Sequence, residues 1–162
     1  MSQWTHVIGV IQTSPVTQEA VENAFGVPKT WKDMWYHTER YFRESPIEIP
    51  RGSEGSIVWH LQDTVQKVNE NDSQSVIGEG SIISIEGDLR DFGDCDEDVQ
   101  QIAEWFINGC KKLNCPRWAT LSIEVEYGNS YIIEVMWKKY IIYRVDREQT
   151  LTVADLKAHD QK

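Results

Sequence analysis

The stretch from Ser81 to Leu113 constrains this chain most, because its hydrophobic period changes once and abruptly. Ile82, Ile83 and Ile85 read as an apolar strand. Val99, Ile102, Ala103, Phe106, Ile107, Cys110 and Leu113 then recur at the three- and four-residue spacing of an amphipathic helix. Between them lies a loop crowded with carboxylates: Glu86, Asp88, Asp91, Asp94, Asp96, Glu97 and Asp98 stand against one basic residue, Arg90. Such a β-loop-α unit has to bury one face of its strand and one stripe of its helix together, which demands a layered α+β packing. Asp94, with Glu97 three residues on, predicts a capping box at the helix start, and Asn114 and Pro116 close the helix.

The flanking sequence supplies partners for that unit. Thr5 to Gln12 is a β-rich run in which Gly9 marks a bulge or a close packing contact. Ser14-Pro15 ends it and opens a helix carrying Ala20, Val21, Ala24 and Phe25, stopped by Gly26-Val27-Pro28. Trp31, Met34, Trp35, Thr38, Tyr41 and Phe42 share one face of a second helix, and a stripe that dense reads as core. Ser56 to Gln62 alternates as a strand, and Asn69 to Ser75 reads as a polar loop or hairpin tip. Leu121, Ile123, Val125 and Tyr127 face one side of a later strand. Gly128-Asn129 turns the chain into Tyr131 to Trp137, and Tyr140 to Val145 adds a last strand. The order β-α(α)-β-β-α-β predicts a ferredoxin-like split βαβ sheet with its helices on one face and extra C-terminal antiparallel strands. Residues 1–150 are expected to form one domain, with 151–162 a polar, partly disordered tail.

Charge narrows the partners. The 162 residues carry a net charge of −10, of which each half contributes −5. That disfavours direct binding to nucleic acid or anionic membrane, since phosphate affinity rests on Lys and Arg. An acidic protein is suited instead to the basic surfaces that normally hold nucleic acid, although solubility alone also accounts for the charge. The start Met1-Ser2-Gln3-Trp4 lacks the basic stretch and apolar core of a signal peptide, and no apolar run has the length of a membrane span. With the three cysteines Cys95, Cys110 and Cys115 free of any CxxC pairing, a reducing cytoplasm is expected.

Few constellations carry chemistry. Asp94, Asp96 and Asp98 occupy the first ligand positions of a calcium loop, but Val99 stands where the turn needs Gly and Trp105 where a bidentate Glu is needed. Capping and helix-dipole complementarity explain those carboxylates without an ion. Cys110 and Cys115 lack a second ligand pair for zinc. Gly52-Ser53-Glu54-Gly55 has no following Lys or helix start to make it a phosphate cradle, and reads as a turn. His6 and His60 are placed to meet on neighbouring strands near Glu86 or Glu124, but no spacing rule supports an acid–base or metal site, and half-exposed structural histidines are the preferred reading. No cofactor, metal or catalytic residue is assigned, and the chain is read as a non-enzymatic binding protein. Its candidate partner surface comprises Glu86, Asp88, Asp91 and Asp96 from the acidic loop. Glu124, Glu126 and Glu134 from the wet face of the late strands, beside Ile132 and Met136, complete it.

Three short stretches carry a resemblance: Ser2-Gln3-Trp4-Thr5-His6-Val7, Gly52-Ser53-Glu54-Gly55, and Ile85-Glu86-Gly87-Asp88-Leu89-Arg90-Asp91. Together they resemble a group of small, uncharacterised proteins of bacteriophages and prophages. The resemblance implies an accessory protein made in a bacterial cytoplasm, and small acidic phage proteins are often inhibitors of host machinery, anti-CRISPR proteins among them. The expectation is an inhibitor that occupies a basic surface on a host defence or nucleic-acid-handling protein. A small-ligand binder for a nucleotide signal, using Trp31–Phe42 and Gly52–Gly55, is the alternative, and a small enzyme built on His6 and His60 comes last. A second copy of the chain joined through a sheet edge is the other partner considered.

Overall fold

The computed structural model describes residues 2–28, 47–67, 76–93, 95–114, 116–146, 148 and 151–153. Seven antiparallel strands form one sheet: β1 (Trp4–Thr13), β2 (Ile57–Lys67), β3 (Val76–Arg90), β4 (Trp118–Val125), β5 (Ser130–Met136), β6 (Lys139–Val145) and β7 (Leu151–Val153). Their order across the sheet is β2-β3-β1-β4-β5-β6-β7. Two helices occur among the described residues, α1 (Gln18–Phe25) after β1 and α2 (Asp96–Lys112) after β3. The described residues are mostly antiparallel sheet with two helices, an α+β or mainly β arrangement that agrees with the expected class at that level.

Strand alternation decides which face is covered. Val7 lies opposite Gly87 of β3 and Ile123 of β4, so the apolar residues of three strands align in one row. Val7, Ile11, Ile57, Ile83, Leu89, Leu121, Ile123, Ile133 and Ile142 all point to this side and are buried in a single core. The helices supply its other wall. From α2, Ile102, Phe106 and Ile107 are fully or almost fully buried, and α1 adds Val21 and Phe25.

Local chemistry holds the helices in place. Thr17 is the N-cap of α1, its Oγ1 accepting from the Ala20 N–H at 3.1 Å, and Gly26 ends the helix at φ 88°. The Phe25 ring meets Trp105 of α2 edge-on, with centroids 5.2 Å apart and planes at 68°. That ring occupies the space over Gly109, where any side chain would collide with it. Two indoles then satisfy carbonyls that α1 leaves open at its end. Trp105 Nε1 donates to the Phe25 carbonyl at 2.9 Å, and Trp59 Nε1 to that of Gly26 at 2.8 Å. Gly9 proves to be a close packing contact rather than a bulge, because a Cβ there would lie 2.5 Å from Leu121 Cδ1 and 2.8 Å from the Thr120 carbonyl oxygen.

Four local expectations need correction. The first helix begins after Thr17, not at Ser14-Pro15, since the Thr17 hydroxyl supplies the cap. The N-cap of α2 is Cys95 rather than Asp94, and Cys95 makes no side-chain capping bond; the expected Asp94–Glu97 box rests on Asp94, which lies outside the described residues. Asp98 instead reaches back to accept from the Gly93 N–H at 2.9 Å. Tyr127 sits in a turn at φ 61° and is exposed rather than facing the core. Finally, the boundary at residue 150 cuts through the sheet, because Leu151–Val153 pair with Tyr143–Val145 as β7. The expectations for Trp31–Phe42, Asn69–Ser75, Cys115 and residues 154–162 fall outside the described residues.

Candidate functional site

The second face of the sheet gathers most of the sequence-derived candidates. Its residues line up in register across the strands. One row runs Asp88, His6, Glu124, Ser130, Val145 and Leu151 from β3 to β7. The next runs Val58, Glu86, Ile8, Ser122, Ile132, Tyr143 and Val153. A third carries His60, Ser84, Val10, Thr120, Glu134 and Ile141. The helices lie on the other side, so these side chains look outward.

The acidic candidates therefore do not form one surface. Glu86 and Asp88 stand on the open face beside Glu124 and Glu134. Asp91 leaves it: its backbone turns at φ 53°, and its carboxylate accepts from Ser53 Oγ at 2.7 Å. Glu126 is also engaged locally, Oε2 accepting from the Trp4 N–H at 3.1 Å. Asp96 belongs to the helical layer, in the first turn of α2. Pairing explains the split, since strand alternation sends Glu86 and Asp88 outward while the turn at Asp91 carries the chain back over the core.

Each histidine on this face meets its own carboxylate. His6 Nδ1 lies 2.6 Å from Asp88 Oδ1, and His60 Nε2 3.5 Å from Glu86 Oε1. The two imidazoles do not converge, because β3 runs between β1 and β2. All four side chains are well exposed, so each pair contributes at most about 1 kcal/mol. Among the described residues no group of three or more His, Cys, Asp or Glu is arranged to hold a metal. No helix among them is long and apolar enough to cross a membrane.

The glycine loop is built into the sheet edge. The Ser53 N–H donates to the Arg90 carbonyl at 2.9 Å, the Gly52 N–H to that of Gly55 at 3.2 Å, and the Arg90 N–H to that of Glu54 at 2.9 Å. Arg90 Nη1 closes the contact on Glu54 Oε1 at 2.6 Å. The N–H groups of Gly52 and Ser53, which a phosphate would need, are thus already committed within the protein.

A scan of the chain against family models, curated proteins and solved structures finds no match.

Beyond the carboxylates, the open face carries apolar residues, among them the expected Ile132 and Met136. Ile8 is 68% exposed, Met136 55% and Ile141 45%, with Leu151 and Val153 more than half exposed on β7. Ile132, Tyr143 and Val145 are half-buried between them. A signal for this was present, since Val7-Ile8 and Ile141-Ile142-Tyr143 place apolar residues on both sides of their strands. A strand with only one covered face should instead alternate.

A separate feature lies where α2 begins. A cavity of about 330 Å³ is lined by Gly93, Cys95, Asp96, Val99, Val125 and Tyr131, among others. The Asp98 N–H favours the Cys95 thiolate, but the Glu97 carboxylate, taking a hydrogen bond from the thiol, works against it, and the net effect raises the thiol above its ordinary value. Glu97 is lowered in turn, first by its own backbone N–H at the helix start and then by that thiol.

Proposed function

We propose that this chain is a phage-type accessory protein that inhibits a host defence or nucleic-acid-handling protein by docking its open sheet face on a basic surface. The observation that carries the proposal is the open face itself. Glu86, Asp88, Glu124 and Glu134 stand on adjacent strands beside exposed Ile8, Met136 and Ile141, in a chain whose net charge is −10. Exposed apolar area next to like-signed charge is the composition of a protein-binding surface, and the carboxylates supply specificity and rate of encounter. Asp91 leaves that surface with the turn after β3, Glu126 is held against the Trp4 N–H beyond the end of β4, and Asp96 belongs to the helical layer. Direct nucleic-acid binding runs against the same charge.

The supporting reading of the fold is a ferredoxin-like split βαβ core extended by β5, β6 and β7. What favours it is the order β2-β3-β1-β4 with α1 following β1 and α2 following β3. A bacterial cytoplasm is the proposed location, in keeping with the thiol of Cys95. The nucleotide-signal reading is set behind the docking one, because the N–H groups of Gly52 and Ser53 are already bonded.

Capture from a bacterial lysate on the immobilised protein tests the proposal. The expected result is a basic, nucleic-acid-handling protein that elutes as salt rises. Glu86→Lys with Glu124→Lys should abolish the capture. Recovery that is indifferent both to salt and to those substitutions would contradict it.

A further inference from the structure

The open face is divided rather than uniformly acidic, and the division specifies the shape of what fits it. Carboxylates and histidines occupy β2, β3, β1 and β4, in Asp88, Glu86, Glu124, His6 and His60. Of the exposed apolar residues, Met136, Ile141, Leu151 and Val153 lie on β5, β6 and β7, while Ile8 on β1 and Trp118 on β4 stand within the acidic half. Across β5, β6 and β7, Ile132 lies beside Tyr143 and Tyr143 beside Val153, Val145 lies beside Leu151, and Ile141 adjoins Glu134. Lys139, beside Met136, is the cation at the lower end of this apolar half.

We infer that the face receives a basic amphipathic helix of the partner, its apolar stripe lying along β5 and β6 and its Lys and Arg residues reaching toward Glu124 and Glu134. This rests on the docking reading above and adds the form of the partner.

The dimensions and the charge both support that occupant. Neighbouring strands are about 4.8 Å apart, so β6 and β4 are separated by roughly 10 Å, close to the diameter of a helix. An apolar stripe seated on Ile132, Ile141 and Tyr143 leaves the flanking basic side chains within reach of the carboxylates on β4 and β5. An extended strand added at β7 would use the sheet edge and leave the face uncovered. A second copy stacked face to face would oppose carboxylates to carboxylates, between molecules each at −10. A helix with basic flanks satisfies both halves of the surface at once.

The test uses the full chain and two synthetic peptides of identical Leu and Lys composition. One places its leucines on a single helical face. The other has its order permuted so that they are spread around the helix. Binding is read by titration calorimetry. The expected result is at least about tenfold tighter binding of the amphipathic peptide, close to 1.4 kcal/mol. Ile141→Glu, or Val153→Glu at a more exposed position, should remove that preference while the thermal transition is unchanged. Glu124→Lys with Glu134→Lys should weaken the amphipathic peptide and flatten its salt dependence.

Equal binding of both peptides, still weakened by the lysine substitutions, would overturn the helix inference and leave docking on a basic surface standing. Failure of both peptides to bind under any salt condition would overturn both readings. A dimer by sedimentation that Ile141→Glu converts to monomer would assign the face to a second copy and overturn the inference.

Discussion

The two faces of this sheet are made from the same strands, yet their neighbouring residues live under different rules. On β5, Ile133 is fully buried against the helices while Ile132, one residue earlier, stands on the open side. On β1, Val7 is sealed in the core and Ile8 is 68% exposed. Apolar content does not separate the two sides; what covers them does. The helical face converts apolar area into folding free energy. The open face keeps comparable side chains in water, where they yield nothing until something covers them.

That contrast breaks most readily at Ile133. Ile133→Ala should cost about 2–5 kcal/mol in denaturant unfolding, from lost transfer energy and the cavity left behind. Ile141→Ala on the open side should change stability by less than about 0.5 kcal/mol. Comparable losses at both positions would mean that the open face is covered in the folded chain.

Gly109→Ala sharpens the account of the covered side. A methyl there meets the Phe25 ring, which is pinned by Trp105, so overpacking should cost roughly 1–3 kcal/mol although Ala is the better helix former. A stabilised variant would show that α1 gives way freely. Trp105→Phe keeps most of the ring but leaves the Phe25 carbonyl without its donor, and about 1 kcal/mol should be lost.

How much of this was legible in the sequence follows from which forces are local. The period of Val99 to Leu113 announced α2, and the alternation from Leu121 to Val125 announced β4, because each pattern is written by residues a turn or two apart. The start of α2 was misjudged because cap geometry depends on backbone angles at Cys95 and on Asp98 folding back to Gly93, and residue types do not specify either. The residue types allow His6 and His60 to meet, and only the insertion of β3 between their strands shows that they do not. Long-range pairing of that kind leaves no local signature. β7 is not legible, because three residues after a polar stretch carry too little pattern to read as a strand.

The smallest expected effect lies away from both faces, at the start of α2. Glu97→Gln removes the carboxylate that accepts from the Cys95 thiol, so the thiol's pKa should fall toward its ordinary value, more thiolate should form, and alkylation near neutral pH should speed up. An unchanged or slower rate would show that the Asp98 N–H governs this thiol. The lowered Glu97 carboxyl gives a second sign to check. Its contribution to stability is present above the unfolded carboxylate range and is lost as pH falls through its folded value.

The central claim is that the open face, not the helical layer, is where this protein meets its partner. Carbodiimide labelling of carboxylates, read by mass spectrometry with and without the partner captured from lysate, addresses it directly. Protection should appear at Glu86, Asp88, Glu124 and Glu134, while Asp96 and Glu97 label equally in both states. Protection confined to Asp96 and Glu97, with the open-face carboxylates unchanged, would contradict the account.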